Sequence, residues 1–373
     1  MFDVGIIGAG PAGTTLARLI GGRFSVLLIG DRRRKCCGGI LSPEAQQMLA
    51  QFNTAIPKEI LVNPQPFSVA VLDTATKIVR HYRRQYININ RAAFDEWLLS
   101  LLPNTVVIRS PCRFQRLEQT SGQIPAAGHP QDKPLKIYFK DKQGREQSEQ
   151  VRLLVGADGV FSAVRRFCSL HNEKYNTVLP KQYIALQDWF AAENIQASHP
   201  SIDFWNDYTG IFDKELTDFY AWTIPKDGVL LVGGAIPKQK NCRQHFERFK
   251  KKTAEFGLQL GKPFLCEAGA IFRPLSNGGI FTGTENIVLV GEAAGLISPS
   301  SAEGISFALA SAFALSESFL PDGTFSMRLY RKKINPLLWK IRLRQFKVPA
   351  MFHPWLRKQI MHSGITALDT RYR

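Results

Sequence analysis

The sequence predicts an α/β fold in which a domain built on a parallel sheet is interrupted by an inserted antiparallel β-sheet domain and followed by a helical C-terminal tail. Three observations lead to this prediction. A glycine-rich turn follows an apolar run at the N-terminus, strand-like segments recur along most of the chain, and basic residues concentrate near the C-terminus.

The first twenty residues have the pattern of a strand, a turn and a helix. An apolar run at 2–7 leads into Gly8-Ala9-Gly10-Pro11-Ala12-Gly13, and a helical stretch follows at 14–20. In such a GxGxxG turn the first glycine permits the tight turn and the second lets backbone N–H groups approach a pyrophosphate. The third lets the helix pack closely on the strand. The sequence therefore predicts a Rossmann-type dinucleotide-binding domain.

A second strand, predicted at 24–29, ends near the acid expected to bind a ribose. The apolar register places the expected position of this acid at residue 30, which is a glycine. The first carboxylate, that of Asp31, therefore comes one residue late. The basic residues that follow, Arg32 to Lys35, would by themselves favour a 2′-phosphate and hence NADP.

Composition limits the class of protein. The chain has 373 residues, 45% hydrophobic and 21% charged, which is ordinary for a globular enzyme of two domains. Its six cysteines include no CxxC and no Cys/His spacing suited to zinc, so we expect reduced thiols, no metal site and a cytoplasmic protein. The N-terminus lacks the features of a signal peptide. Serines and Glu317 interrupt the apolar stretch 305–320, which favours a buried helix over a membrane span.

The strand-like segments suggest how the domains are arranged. They occur at 67–72, 105–109, 135–139, 151–155, 220–224, 229–233 and 286–290, with a helix at 91–102 and a surface loop at 120–134. A β-rich block at about 175–272 separates dinucleotide-type strands. We therefore predict a discontinuous cofactor-binding domain at 1–60, 86–170 and 273–325, a substrate domain at 61–85 and 171–272, and a C-terminal segment at 326–373.

Two further segments behave like parts of the same site. Residues 153–165 form a strand that closes on the turn Asp158-Gly159. Residues 286–305 form a strand ending in Gly291-Glu292, followed by Pro299 and by Gly304-Ile305, with a helix starting near Ala302. Each alone has an ordinary explanation as a turn or a helix start. Their order behind a GxGxxG turn indicates a flavin site.

In these motifs the chain resembles the FAD-dependent oxidoreductases of the p-hydroxybenzoate hydroxylase fold. Cys37-Gly38-Gly39 and the run from Tyr220 through Trp222 to Pro225-Lys226 resemble the CGG and YxWxFPK motifs of geranylgeranyl reductases. Residues 63–69, 86–91 and 291–295 are similar to the pattern of bacterial CbrA-type flavoproteins. The resemblance covers residues 1 to about 365. It implies a Rossmann-type FAD-binding domain of the glutathione reductase/p-hydroxybenzoate hydroxylase type.

The resemblance also implies roles for individual residues. Gly8 to Gly13 would bind the FAD pyrophosphate, Asp31 with Arg32 the adenosine ribose, and Arg91 the phosphates or the ribityl chain. Asp158 and Gly159 would lie near the pyrophosphate, and Glu292 would bind a ribityl hydroxyl. The implied cofactor-binding set is completed by Gly38, Gly39, Gly291, Pro299, Gly304 and Ile305. The chain departs from the family pattern at Glu292 and Cys36, where the family usually has Asp and Pro, and in the short segment between Asp31 and Cys37.

Other features bear on the chemistry. The helix N-terminus at 302–305 would direct its dipole to the flavin edge that becomes negative on reduction. Cys37 is the candidate catalytic residue, as a proton donor or as part of the pocket wall. Tyr220, Trp222 and Pro225 would line an apolar substrate pocket, unless the two rings are simply sheet core. No second GxGxxG occurs, so electrons would come from transiently bound NAD(P)H or from reduced ferredoxin.

The tail is strongly basic. From 326 to 373 there are twelve basic residues and one acid, so this segment holds +11 of the net charge of +17. Interleaved aromatic and aliphatic residues suit peripheral binding to an anionic membrane, and a pair of helices with a solvated outer face fits equally well. Nucleic acid is not expected, because no recognition motif accompanies the charge.

Three functions remain open at this point. The first is reduction of carbon-carbon double bonds in an isoprenoid or other lipid-like substrate. The second is monooxygenation of an aromatic or polycyclic substrate, and the third is a flavin-binding sensor or carrier without turnover. The sequence leaves the oligomeric state open.

Overall fold

A computed structural model of the protein describes residues 1–31, 35–119, 133–170, 180–238 and 241–368. The candidate site residue Arg32 and nearly all of the predicted loop at 120–134 lie outside these residues. The chain forms two compact units. The first contains residues 1–34, 95–180 and 272–343, and the second contains residues 35–94, 181–271 and 344–373.

The strands of the described residues are, in chain order, β1 (Phe2–Ile7), β2 (Val26–Ile29), β3 (Ile40–Leu41), β4 (Ser68–Asp73), β5 (Ile78–Arg83), β6 (Ile87–Asn88), β7 (Val107–Arg109), β8 (Cys112–Gln119), β9 (Leu135–Asp141), β10 (Glu146–Gly156), β11 (Lys181–Ala191), β12 (Ile195–Ala197), β13 (Tyr208–Phe212), β14 (Ala221–Lys226), β15 (Val229–Pro237), β16 (Leu258–Leu260), β17 (Leu265–Arg273) and β18 (Ile287–Leu289). The α-helices are α1 (Pro11–Ile20), α2 (Pro43–Gln51), α3 (Arg91–Ser100), α4 (Ala163–Leu170), α5 (Cys242–Lys252), α6 (Ile305–Ser316), α7 (Met327–Phe352) and α8 (Pro354–Ser363).

The first unit is built on a sheet with the strand order β7-β2-β1-β10-β9-β8, and β18 also pairs with β10. Strands β7, β2, β1, β10 and β18 run parallel, and β10, β9 and β8 form an antiparallel meander. Strand β2 is buried at all four positions, as expected for a parallel strand covered on both faces. Helix α1 packs beside α6 in this unit.

The second unit is built on a seven-stranded sheet with the order β17-β11-β15-β14-β13-β4-β5. Where the register is resolved its neighbours are antiparallel, except for β13 and β4, which pair in parallel with Tyr208 opposite Val69. The predicted antiparallel sheet is therefore present with one parallel pair. That pair is possible because the two strands come from segments far apart in the chain, so no tight turn has to join them.

The division of the chain differs from the one drawn from the sequence. Residues 35–60 and 86–94 belong to the second unit rather than to the first. The reason is local pairing: β3 pairs with β6, and Asn88 in β6 donates to the carbonyl of Pro225 in β14. The boundary near the C-terminus, at 343/344, falls inside α7. The functional assignment of the domains stays a prediction.

Helix α6 begins at Ile305, later than the start predicted near Ala302. Ala302 has a φ of +52°, which a right-handed helix excludes. The body of α6 is buried, as predicted, and includes the polar residues Ser306 and Ser311. Within the described part of the chain, no helix is both long enough and apolar enough to cross a membrane.

Candidate functional site

The glycine turn between β1 and α1 has the geometry that a bound anion needs. Gly8 has a φ of +115°, and a Cβ on Gly13 would lie 1.8 Å from the carbonyl oxygen of Gly8. A Cβ on Gly10, by contrast, would meet no described atom within 4 Å. Gly10 is also the N-cap of α1, and no side chain of the described residues caps this helix end. The turn therefore combines an open approach with unfilled N–H donors.

The structure explains why the predicted ribose acid comes one residue late. A Cβ on Gly30 would lie 2.5 Å from the Cβ of Ala9, so no side chain fits at that position. Asp31, the next residue, is 21% exposed, and its Oδ2 lies 3.4 Å from Nε of Arg113. Asp31 is thus the first position after β2 that can present a carboxylate, and its binding to ribose stays a prediction.

Asp158 lies between β10 and α4. Oδ2 of Asp158 accepts a hydrogen bond of 2.7 Å from the N–H of Ala163. Nearby, Oγ of Ser162 accepts one of 2.9 Å from the N–H of Arg165. Oδ1 of Asp158 is buried and has no hydrogen-bond partner among the described residues. Burial raises the pKa of Asp158. One oxygen therefore holds the start of α4, and the other lacks a donor that a ligand hydroxyl would supply. Gly159 follows with a φ of +74° and open space at its Cβ position.

The turn that contains Gly291 and Glu292 follows β18. Gly291 has a φ of +58°, and a Cβ there would lie 3.2 Å from the Cβ of Ala12 in α1. Oε1 of Glu292 accepts a long hydrogen bond of 3.4 Å from the N–H of Phe272.

The second uncapped helix start of the first unit lies at Gly304, the N-cap of α6. Within the described chain no side chain caps it, and Ile305 is the first helical residue. Pro299, just before it, uses its carbonyl oxygen to accept a hydrogen bond of 2.8 Å from Nε of Arg273. The dipole of α6 therefore ends at a backbone segment whose donors are not occupied by a capping side chain.

In the second unit the motif Cys37-Gly38-Gly39 is shaped by close packing. Gly39 has a φ of +63°, and a Cβ there would lie 2.4 Å from the carbonyl oxygen of Ile89. A Cβ on Gly38 would lie 2.5 Å from Cδ1 of Ile224 in β14. Gly39 is therefore required by the backbone path that presents Cys37, whereas a side chain at Gly38 would displace the end of the Ile224 side chain.

Cys37 and Arg91 lie together in this unit. Burial by itself would raise the pKa of the Cys37 thiol, but the positive charge of Arg91 and a hydrogen bond from the N–H of Gly39 leave that pKa below its ordinary value. The N–H of Gly39 lies 3.5 Å from Sγ of Cys37. Arg91, predicted from the resemblance to contact the cofactor, thus also sets the acidity of the candidate catalytic thiol.

Lys226 belongs to the motif noted in the sequence, but the sequence reasoning gave it no role in the site. Its buried Nζ donates to Oδ1 of Asn88 at 2.6 Å, to the carbonyl oxygen of Ile89 at 2.8 Å and to that of Gly39 at 3.4 Å. Burial lowers its pKa to about 7. The signal in the sequence is its place at the end of the motif that runs from Tyr220 to Lys226. Lys226 therefore holds the Cys37 segment against β6 and β14.

An aromatic cluster lies beside these residues in the second unit. The rings of Tyr220 and Trp222 are 5.7 Å apart, and the indole of Trp222 covers Gly233 on β15, where a Cβ would lie 2.5 Å from it. Two tyrosines that the sequence reasoning missed join this cluster. Tyr208 packs edge-on against Tyr86 at 5.7 Å, and burial with the neighbouring Tyr220 and Tyr86 raises the pKa of Tyr208 well above its usual range. Pro225, the third predicted pocket residue, is buried in β14.

Comparison with known proteins decides the family. No model of a known protein family matches the sequence. Protein CbrA of Escherichia coli O9:H4 (strain HS) is 37% identical over 372 residues, which cover 98% of this chain and 94% of that protein. Protein CbrA of Shigella dysenteriae serotype 1 is 37% identical over 380 residues, 98% of this chain and 97% of its own length. The chain belongs to the CbrA family. The resemblance seen in the motifs is thereby confirmed.

Solved structures share the fold of this CbrA-family chain. A geranylgeranyl bacteriochlorophyll reductase-like protein from Thermoplasma acidophilum superposes with a TM-score of 0.74 at 17% identity and covers 96% of this chain and 87% of its own. The p-nitrophenol 4-monooxygenase PnpA from Pseudomonas putida gives 0.67 at 12% identity, covering 97% and 92%. At identities this low, the superpositions establish the fold alone. They confirm the predicted fold class for the CbrA-family chain.

Proposed function

We propose that the protein is an FAD-dependent oxidoreductase that reduces carbon-carbon double bonds of an isoprenoid or other lipid-like substrate. The main support for FAD as the cofactor is the turn at Gly8–Gly13. A side chain on Gly13 has no room, whereas the space beside Gly10 is open in front of an uncapped helix N-terminus. This is the arrangement that accepts a pyrophosphate.

The other candidate residues of the first unit fit the rest of the cofactor. The carboxylate of Asp31 would accept hydrogen bonds from the adenosine ribose, and that of Glu292 from a ribityl hydroxyl. The buried Oδ1 of Asp158 lacks a donor among the described residues, which a cofactor hydroxyl or an ordered water would supply. The uncapped start of α6 at Gly304 would stabilise negative charge on a reduced ring.

Bound FAD would supply the hydride that one carbon of the double bond takes up, with NAD(P)H, or reduced ferredoxin and a solvent proton, as the source of electrons. The neighbouring carbon then needs a proton. Sγ of Cys37 would supply it, because a lowered pKa makes the thiol a better acid and Arg91 stabilises the thiolate that remains. The thiolate recovers a proton from solvent before the next turnover.

The second unit supports a hydrocarbon substrate. Tyr220 and Trp222 pack 5.7 Å apart at the start of β14, the strand that ends in Lys226, and as walls of a pocket they would suit an apolar chain better than a small polar metabolite. Among the solved structures, the one from Thermoplasma acidophilum is described as geranylgeranyl bacteriochlorophyll reductase-like. That description favours reduction of an isoprenoid chain.

The test is anaerobic turnover of the purified protein with NADPH, NADH or reduced ferredoxin and a set of polyprenyl lipids, followed by mass spectrometry. The proposal expects flavin reduction and two hydrogen atoms gained for each double bond consumed. The fold is shared by p-nitrophenol 4-monooxygenase, so a parallel aerobic reaction with aromatic substrates is informative. An oxygen atom in the product, with oxygen consumed, would assign a monooxygenase instead. A bound flavin that none of the donors reduces would leave a sensor or carrier.

A further inference from the structure

Exposed apolar side chains concentrate at the C-terminal end of the described chain. Among the residues that the structure describes, fifteen large hydrophobic side chains are strongly exposed, and seven of them lie between 339 and 368. They are Trp339, Leu343, Phe346, Trp355, Ile360, Ile365 and Leu368. Single exposed hydrophobic residues are normal on protein surfaces, whereas exposed hydrophobic residues that lie side by side mark an interaction site.

Three of these residues form a stripe along α7. At about 100° per residue, Trp339, Leu343 and Phe346 fall within roughly 60° of one another on the helix. They are 54%, 59% and 81% exposed. The buried residues of α7, among them Tyr330 and Ile341, lie on the opposite side. Over residues 339–346, helix α7 therefore carries apolar side chains on its outer side as well as on its buried side, whereas a helix that only covers a core has a polar outer face.

Positive charges flank this stripe. By the same rotation, Arg342 lies about 60° to one side of Trp339 and Lys347 about 80° to the other. The guanidinium of Arg342 is 5.1 Å from the centre of the Trp339 ring. Between 326 and 368 the chain contains ten lysines and arginines and no aspartate or glutamate. Arg344 and Arg357 pair with Glu44 and Asp73, so they are not counted in the outer face.

We infer that the outer face of α7 docks on the surface of a bilayer that contains anionic phospholipid. Indole and phenyl rings partition into the headgroup region, and arginine and lysine beside them meet lipid phosphates. A second copy of this chain fits less well, because a symmetric contact would place cations against cations. This inference does not depend on the proposed reductase activity.

The first test is flotation of the flavin-loaded protein with vesicles of phosphatidylcholine alone or with about one third phosphatidylglycerol. We expect retention by the anionic vesicles at low salt and release as salt rises, because the Debye length falls from about 30 Å at 0.01 M to about 8 Å at 0.15 M. Equal retention by both vesicle types, or none by either, would overturn the inference.

The second test separates the stripe from general stickiness. Trp339→Gln with Phe346→Gln should reduce the vesicle-bound fraction about tenfold or more. The matched control is Phe67→Gln, which removes a ring that is 76% exposed elsewhere in the chain and should leave binding unchanged. If the control loses as much binding as the double variant, the stripe is not the docking face.

The third test separates the position of the charges from the net charge. Arg342→Glu with Lys347→Glu should abolish retention, whereas the exposed pair Lys142→Glu with Lys262→Glu changes the net charge equally and should not. Thermal melting and flavin content show that each variant is folded. Size-exclusion chromatography without vesicles completes the set. A dimer that the stripe variant dissociates would assign this face to self-association and refute the membrane inference.

Discussion

At the scale of single residues, the glycines of the β1-α1 turn have different reasons to be glycine. Gly8 and Gly13 are required by the protein itself, through a positive φ at one and the lack of space at the other. Gly10 meets no such constraint, since its Cβ position is open. Its requirement would come from the cofactor, and this difference can be tested.

We predict that Gly10→Val folds normally and loses bound FAD, because the branched side chain would occupy the space the pyrophosphate needs. Gly22→Val is the matched control, since Gly22 also has no described atom within 4 Å of a Cβ and lies outside the turn. Flavin absorbance per mole of protein measures the result. Normal flavin content in Gly10→Val would remove the turn from the cofactor site.

A second prediction at this scale concerns Cys37. Arg91→Met removes the charge that offsets burial, so the pKa of Cys37 should rise towards and above its ordinary value. Alkylation requires the thiolate, and its increase with pH should therefore move to higher pH. Arg91→Lys should keep most of the effect. Mass spectrometry of iodoacetamide-treated protein measures the alkylated fraction of Cys37, with the exposed Cys266 as the internal reference. An identical pH profile in Arg91→Met would contradict this account.

At the scale of elements, α8 is held to the sheet of the second unit by buried polar contacts. Nε of Arg357 lies 2.7 Å from Oδ2 of Asp73 at the end of β4, and the two side chains are 7% and 1% exposed. Nε of Arg80 in β5 donates to the carbonyl oxygen of Met361 at 2.8 Å. Helix α8 is thus part of the folded second unit, which fits the prediction of packed helices in the C-terminal segment.

We predict that Arg357→Met lowers the free energy of unfolding by about 3–5 kcal/mol, because it leaves the buried carboxylate of Asp73 without its cation. Lys358→Met, at the exposed neighbouring position, should stay within about 0.5 kcal/mol. Urea unfolding followed by circular dichroism compares the two. Similar losses in both variants would show that the pair does not anchor α8.

At the scale of the whole molecule, cofactor binding should appear in the stability. FAD that binds only the folded protein stabilises it by about 2.7 kcal/mol at a free concentration of one hundred times Kd. Flavin-stripped protein should therefore melt several degrees higher after FAD is added, and Gly10→Val should not respond. A melting temperature that FAD leaves unchanged in the parent protein would argue against a specific site.

The sequence by itself determined the features whose causes lie close together in the chain. The β1-turn-α1 unit depends on backbone conformation and apolar spacing within about twenty residues, so it was readable directly. The resemblance to CbrA-type flavoproteins depended on short motifs in a fixed order and needed no knowledge of contacts. The basic tail was evident from composition.

Tertiary structure decided the contacts between distant segments. Lys226 reaches Gly39 and Ile89, and Trp222 covers Gly233, only because particular strands pair in a particular register. Apolar periodicity predicts that a strand exists but not its partner or register, since many pairings bury the same residues. For the same reason, steric exclusion at Gly30 by Ala9 and the position of Arg91 beside Cys37 became visible only once the chain was folded.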